Sequence, residues 1–106
     1  MKIAILGAGN LGLSIGRGLI TNNSLTQLYL TRRSVESIAS WTEYANTKVC
    51  SDNKKAVKES DIIILAVQPS QLVGLLEEIK DLLHENHVLI STVTGFSSVS
   101  YTHLTL

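Results

Sequence analysis

Apolar and polar residues fall into short blocks along this 106-residue chain, and the blocks change period repeatedly. Lys2–Leu6 is an apolar run closed by Gly7, the pattern of a buried strand. From Asn10 to Asn22 the apolar residues Leu11, Ile15, Leu19 and Ile20 recur at helical spacing among glycines 12, 16 and 18, and Asn22-Asn23 makes a stop. Gln27–Thr31 predicts a second strand. Ser34–Tyr44 predicts a helix with Val35, Ile38, Ala39 and Trp41 as its apolar residues. Lys48–Cys50 is a weak strand and Asn53–Glu59 a short polar helix. Asp61–Val67 (DIIILAV) is apolar almost throughout, as a strand covered on both faces must be. Pro69 stands where a helix takes its first residue, and Leu72, Leu76, Ile79 and Leu83 recur through to His84. His87–Thr92 is the fifth strand, followed by Gly95.

Strand alternates with helix throughout, which predicts an α/β fold: a parallel sheet of about five strands wrapped by helices. Parallel strands need crossovers, and each gap is about one helix long. Hydrophobic content of 44% with 17% charged residues excludes a disordered chain. Lys plus Arg equals Asp plus Glu, at nine each, so no nucleic acid or acidic membrane is expected as a partner. The longest apolar run, Ile62–Val67, is too short to span a bilayer. Lys2–Leu6 does not open a signal peptide, because Gly7-Ala8-Gly9-Asn10 ends the run. A single cysteine, Cys50, cannot form an internal disulfide and fits the reducing cytoplasm.

The first strand runs into Gly7-Ala8-Gly9-Asn10-Leu11-Gly12, a match to G-x-G-x-x-G between a strand and a helix. In that setting Gly7 permits a tight turn, Gly9 lets backbone approach a pyrophosphate, and Gly12 allows close helix–strand packing. The helix start then offers free N–H groups and a partial positive charge to phosphates. About twenty residues on, where NAD-binding chains place a carboxylate for the ribose, this chain reads Thr31-Arg32-Arg33-Ser34. Arginine grips a 2′-phosphate through paired hydrogen bonds. The expected cofactor is therefore NADP(H), with NAD(H) as the alternative.

"MKIAILGAGNLG", "SDNKKAVKESDIIILAVQP" and "LISTVTGFSS" together resemble the N-terminal half of pyrroline-5-carboxylate reductase, over residues 1–98. The resemblance implies a Rossmann-type NAD(P)-binding domain. It also implies hydride transfer from NADPH to the C=N bond of 1-pyrroline-5-carboxylate, giving proline. Leu6, Gly7, Ala8, Gly9, Asn10, Leu11 and Gly12 would carry the pyrophosphate, and Thr31, Arg32 and Arg33 would face the adenosine ribose and its 2′-phosphate. Asn53 would hydrogen-bond near the adenosine end. Ala66, Val67, Gln68 and Pro69 would run beneath the cofactor, and Thr92, Val93, Thr94 and Gly95 would lie by the nicotinamide. Gln68 stands where the family usually carries Lys, and Val93-Thr94-Gly95 where it carries Ala-Ala-Gly. The resemblance further implies an all-helical second domain that completes the substrate site and forms a homo-oligomer. That domain is not among these residues, so no catalytic acid or base is assigned. The alternatives are another NADP-dependent imine or β-hydroxyacid reductase, or a non-catalytic dinucleotide-binding module.

Val99–Leu106 (VSYTHLTL) follows no helical or strand pattern. It resembles translated sequencing adapter: the DNA string GTCTCTTATACACATCTGACGCTG encodes it in full. Residues 99–106 are therefore expected to be a non-native tail. Four other features fit structural or solvated roles. His84 and His87 lack a third ligand for a metal, Cys50 has no neighbouring base, Trp41 lies on an apolar stripe, and Lys54 belongs to a charged helix surface.

Overall fold

The computed structural model describes residues 2–21, 27–44 and 46–91. Thr92, Val93 and Thr94, the Asn22-Asn23 stop and the Val99–Leu106 tail lie outside the described residues. The elements are β1 (Lys2–Leu6), α1 (Asn10–Thr21), β2 (Gln27–Thr31), a 3-10 helix (Val35–Glu43), β3 (Thr47–Cys50), α2 (Asn53–Lys58), β4 (Ile62–Leu65), α3 (Pro69–Ile79), a 3-10 turn (Lys80–Leu82) and β5 (Val88–Ser91).

The five strands form one parallel sheet in the order β3-β2-β1-β4-β5. The chain therefore steps outward from β1 in one direction, returns, and steps outward in the other. β1 and β4 are central and almost wholly buried, which explains their unbroken apolar runs. One face of the sheet packs Ala4, Leu6, Tyr29, Ile63 and Leu65 against α2 and α3. The other packs Ile3, Ile5, Leu28, Leu30 and Ile64 with Ile38, Trp41 and the inner side of α1.

Two expectations about the helices need correcting. In α1 the buried positions are Gly12 and Gly16, while Leu11 is 55% exposed. Leu13, not Leu11, joins the core with Ile15, Leu19 and Ile20. The glycine edge lets the helix come close: a Cβ on Gly12 would lie 3.0 Å from Ile5 Cγ2 and 3.2 Å from Ala66 Cβ. The segment after β2 is a 3-10 helix of nine residues, and Ala39 on it is exposed. The reason is visible in the spacing. Val35, Ile38 and Trp41 recur every three residues, the period of a 3-10 helix, so they share one edge, on which Ile38 and Trp41 are buried and Val35 half-buried. The Ser37 and Thr42 hydroxyls reinforce it by donating to the carbonyls three residues back, at 2.7 and 2.8 Å.

Helix starts follow ordinary capping chemistry. Asp52 Oδ1 accepts the N–H groups of Lys54 and Lys55 at 3.0 and 3.3 Å. Pro69 opens α3, and Gln71 Oε1 reaches back to the Gln68 N–H at 3.3 Å. His87 Nε2 lies 3.2 Å from the Val57 carbonyl and 3.1 Å from that of Ser60. Carbonyls only accept, so this nitrogen carries the proton, and Nδ1 accepts the His84 N–H at 3.2 Å. His87 thus ties the approach to β5 onto the end of α2, and His84 stacks on its ring at 3.8 Å. Trp41 is buried, and Cys50 is half-buried with its thiol 3.5 Å from the Asp52 carbonyl.

Candidate functional site

A cleft of about 720 Å³ opens where β1 and β4 deliver the chain to the edge of the sheet. These two strands are neighbours, and the connections leaving them run in opposite directions, so the sheet divides there. Ligands of open parallel sheets settle at such a division, outside the carboxyl ends of the strands.

Three loops build the cleft. After β1, Gly7 turns the chain with φ +76°, a conformation costly for any side chain and doubly so here, because a Cβ would overlap Val67 Cγ1. Gly9 differs: a Cβ there would meet only the Gly7 carbonyl, at 3.9 Å. No packing of the described chain demands glycine at position 9, and its bareness serves the cleft. The Leu13 N–H bonds the Gly9 carbonyl at 2.9 Å. The amides of Asn10, Leu11 and Gly12 are therefore first-turn donors that an α-helix leaves open.

After β2 come Thr31, Arg32 and Arg33. The Thr31 carbonyl accepts the Ala8 N–H at 2.7 Å, and its hydroxyl accepts the Gly7 N–H at 3.1 Å. The same hydroxyl donates to Asn53 Oδ1. One threonine therefore locks the glycine turn to the end of β2 and the start of α2. Arg32 is half-buried and Arg33 exposed, and both line the cleft. Ala66, Val67 and Gln68, after β4, form the remaining wall.

Of the residues singled out in the sequence, Gly7, Gly9, Thr31, Arg32, Arg33, Asn53, Ala66, Val67 and Gln68 come together around this cleft. Leu6, Ala8 and Gly12 do not line it, being buried behind the turn. Asn10, Leu11 and Pro69 are exposed and also lie off its lining. Lys54 is exposed and does not reach it. Sequence reasoning missed Ser51 and the cleft side of α3, where Gln71, Gly74, Leu75 and Glu78 line the cleft. Their spacing of three, four and seven marks one helical face, but three of the four are polar or glycine and read as a solvated side. No group of three or more His, Cys, Asp or Glu suited to a metal occurs among the described residues.

A central parallel sheet with this strand order, a glycine turn leading into a helix, and arginines after β2 define a Rossmann-type nucleotide-binding domain. The chain belongs to the family described as NADP oxidoreductase, coenzyme F420-dependent, whose model matches residues 2–95. It is 41% identical over 98 residues to pyrroline-5-carboxylate reductase 2 of Dictyostelium discoideum, covering 91% of this chain and 33% of that protein. It is 38% identical over 97 residues to pyrroline-5-carboxylate reductase 1 of the same organism, covering 90% of this chain and 17% of that protein. The solved pyrroline-5-carboxylate reductase of Coxiella burnetii superposes with a TM-score of 0.86 at 28% identity, over 97% of this chain and 39% of that one. The chain thus spans a third or less of the length of these two curated relatives.

Proposed function

We propose that the chain is the cofactor-binding part of a pyrroline-5-carboxylate reductase and that its cleft takes NADPH. The observation that carries the reading is the pairing, on one cleft, of the bare Gly9 backbone with Arg32 and Arg33. A dinucleotide needs both: close backbone for its pyrophosphate and cations for a ribose phosphate. The residues fit that cofactor. Gly7 and Gly9 would face the pyrophosphate, Arg32 and Arg33 the 2′-phosphate, and Ala66–Gln68 the stretch leading to the nicotinamide. The absence of a carboxylate after β2 favours NADP(H) over NAD(H), and the family description supports the same choice.

When bound, the reduced nicotinamide supplies hydride to the C=N bond of 1-pyrroline-5-carboxylate, yielding L-proline. The contribution of this chain is orientation: a locked turn, a fixed Asn53 and the Ala66–Gln68 wall of the cleft. We place the imine-binding wall and the homo-oligomer contacts in the part of the relatives that this chain does not match. A cytoplasmic setting agrees with the single unpaired Cys50. None of the described helices is long and apolar enough to cross a membrane.

The test is a hydride-transfer assay on the full-length parent protein with 1-pyrroline-5-carboxylate and NADPH. Turnover supports the reading, and NADPH binding without turnover of this imine favours another imine as substrate.

A further inference from the structure

A second cavity, of about 320 Å³, lies at the β3 edge of the sheet and shares no lining residue with the cleft. Its size is at the small end of ligand cavities. Tyr29 on β2 and Lys48 on β3 are register partners, and Lys48 Nζ lies 5.8 Å from the centre of the Tyr29 ring. Tyr29 packs on the side of the sheet that α2 covers. From α2 come Lys55 and, at the end of the helix four residues on, Glu59. Thr47 also lines the cavity, and its buried hydroxyl has no partner among the described residues. Polar capacity is therefore left unused here.

The charges of this cavity do not neutralise one another. Among the described residues the one ion pair is Glu77–Lys80 at 3.1 Å, so Lys48, Lys55 and Glu59 are all unpaired. Each ammonium group has three donors and no acceptor. The Tyr29 phenol keeps its proton through burial and a hydrogen bond to Glu59. A carboxylate has about four acceptor positions, so that one bond leaves Glu59 open to another donor. A ligand of purely negative charge would face Glu59, and one of purely positive charge would face two lysines. Like charges brought together cost affinity. A small molecule carrying both signs meets a partner for each.

We infer that this cavity is a second binding site, for a free α-amino acid, with the ligand carboxylate on Lys48 and Lys55 and its ammonium group on Glu59. The site is separate from the cleft but backs onto it through Cys50. That residue lines the cavity, its carbonyl accepts the Arg32 N–H at 3.1 Å, and the next residue, Ser51, lines the cleft.

The experiment follows backbone amide resonances of the full chain during titration with L-valine, with isovalerate, which lacks the ammonium group, and with isobutylamine, which lacks the carboxylate. Valine should shift the amides of Lys48, Lys55 and Glu59 and leave those of Gly9 and Gln71 in place. Each single-charge compound should bind about threefold more weakly, the scale of one exposed ion pair. Lys48→Gln and Lys55→Gln, both at exposed positions and expected to unfold like the parent, should each weaken valine by a similar factor without weakening isobutylamine. Isovalerate or isobutylamine binding as tightly as valine would make this a simple ion site and overturn the inference. So would the absence of shifts around the cavity, or valine binding that neither lysine substitution changes. The dinucleotide reading stands or falls separately, on the NADPH titration.

Discussion

Thr31 donates its hydroxyl hydrogen to Asn53 Oδ1 across the mouth of the cleft, while the same oxygen receives the Gly7 N–H at 3.1 Å. Thr31 is 1% exposed, and its two partners Gly7 and Asn53 are half-buried. Thr31→Val keeps the shape and strands the half-buried Gly7 N–H. It should cost about 1–3 kcal/mol in a urea denaturation series and weaken NADPH binding as the turn loosens. Thr31→Ser keeps the hydroxyl and should recover most of the affinity. Loss in Thr31→Ser with none in Thr31→Val would mean that the methyl group, not the hydroxyl, matters.

The two glycines of the turn should separate in their effects. Gly7→Ala faces both φ +76° and the Val67 side chain. It should lower stability by about 2–4 kcal/mol. Gly9→Ala meets no such obstacle, so thermal unfolding should stay near the parent while dinucleotide affinity falls at least tenfold. Unchanged affinity in Gly9→Ala would make that glycine a structural feature alone.

Alkaline titration offers a third check. The Tyr29 phenol is pushed up to about 12 from 10.0, first by burial and then by Glu59 beside it. The folded form holds its proton in a range where the unfolded chain has released it. Stability should therefore be intact below pH 10 and should fall between pH 10 and about 12. Phenolate absorbance from Tyr29 should appear together with unfolding. Ionisation of all three tyrosines near pH 10 with the fold intact would contradict this environment.

The alternation of the elements and the glycine turn were legible in the sequence, because both rest on local signals. Apolar runs such as Ile62–Leu65 announce a strand covered on both sides, and glycine spacing announces a turn. What was not legible depended on which side a helix turns inward. Leu11 looked like core, yet α1 packs through Gly12 and Gly16, since removing side chains is what brings a helix close to a sheet. The segment after β2 looked α-helical until its period of three is set against its buried residues. The α3 face of the cleft was hidden because Gln71 and Glu78 resemble any solvated positions. The available signal was Gly74, a glycine within a helix flanked by them at helical spacing.

We propose that Val99–Leu106 contributes nothing to the domain. The family match ends at residue 95, before this segment begins. A chain ending at Ser98 should show the same unfolding midpoint and the same NADPH affinity. A fall of several degrees in the midpoint would make the segment part of the fold.

The central claim is that Arg32 and Arg33 make this an NADP cleft. The most direct measurement is a fluorescence titration of the parent chain and of Arg32→Asp with NADPH and NADH side by side. The parent should favour NADPH, and the substitution should weaken NADPH by at least tenfold more than NADH, since a carboxylate repels the 2′-phosphate and tolerates the 2′-hydroxyl. Equal losses for the two cofactors, or a parent that binds neither, would contradict the account.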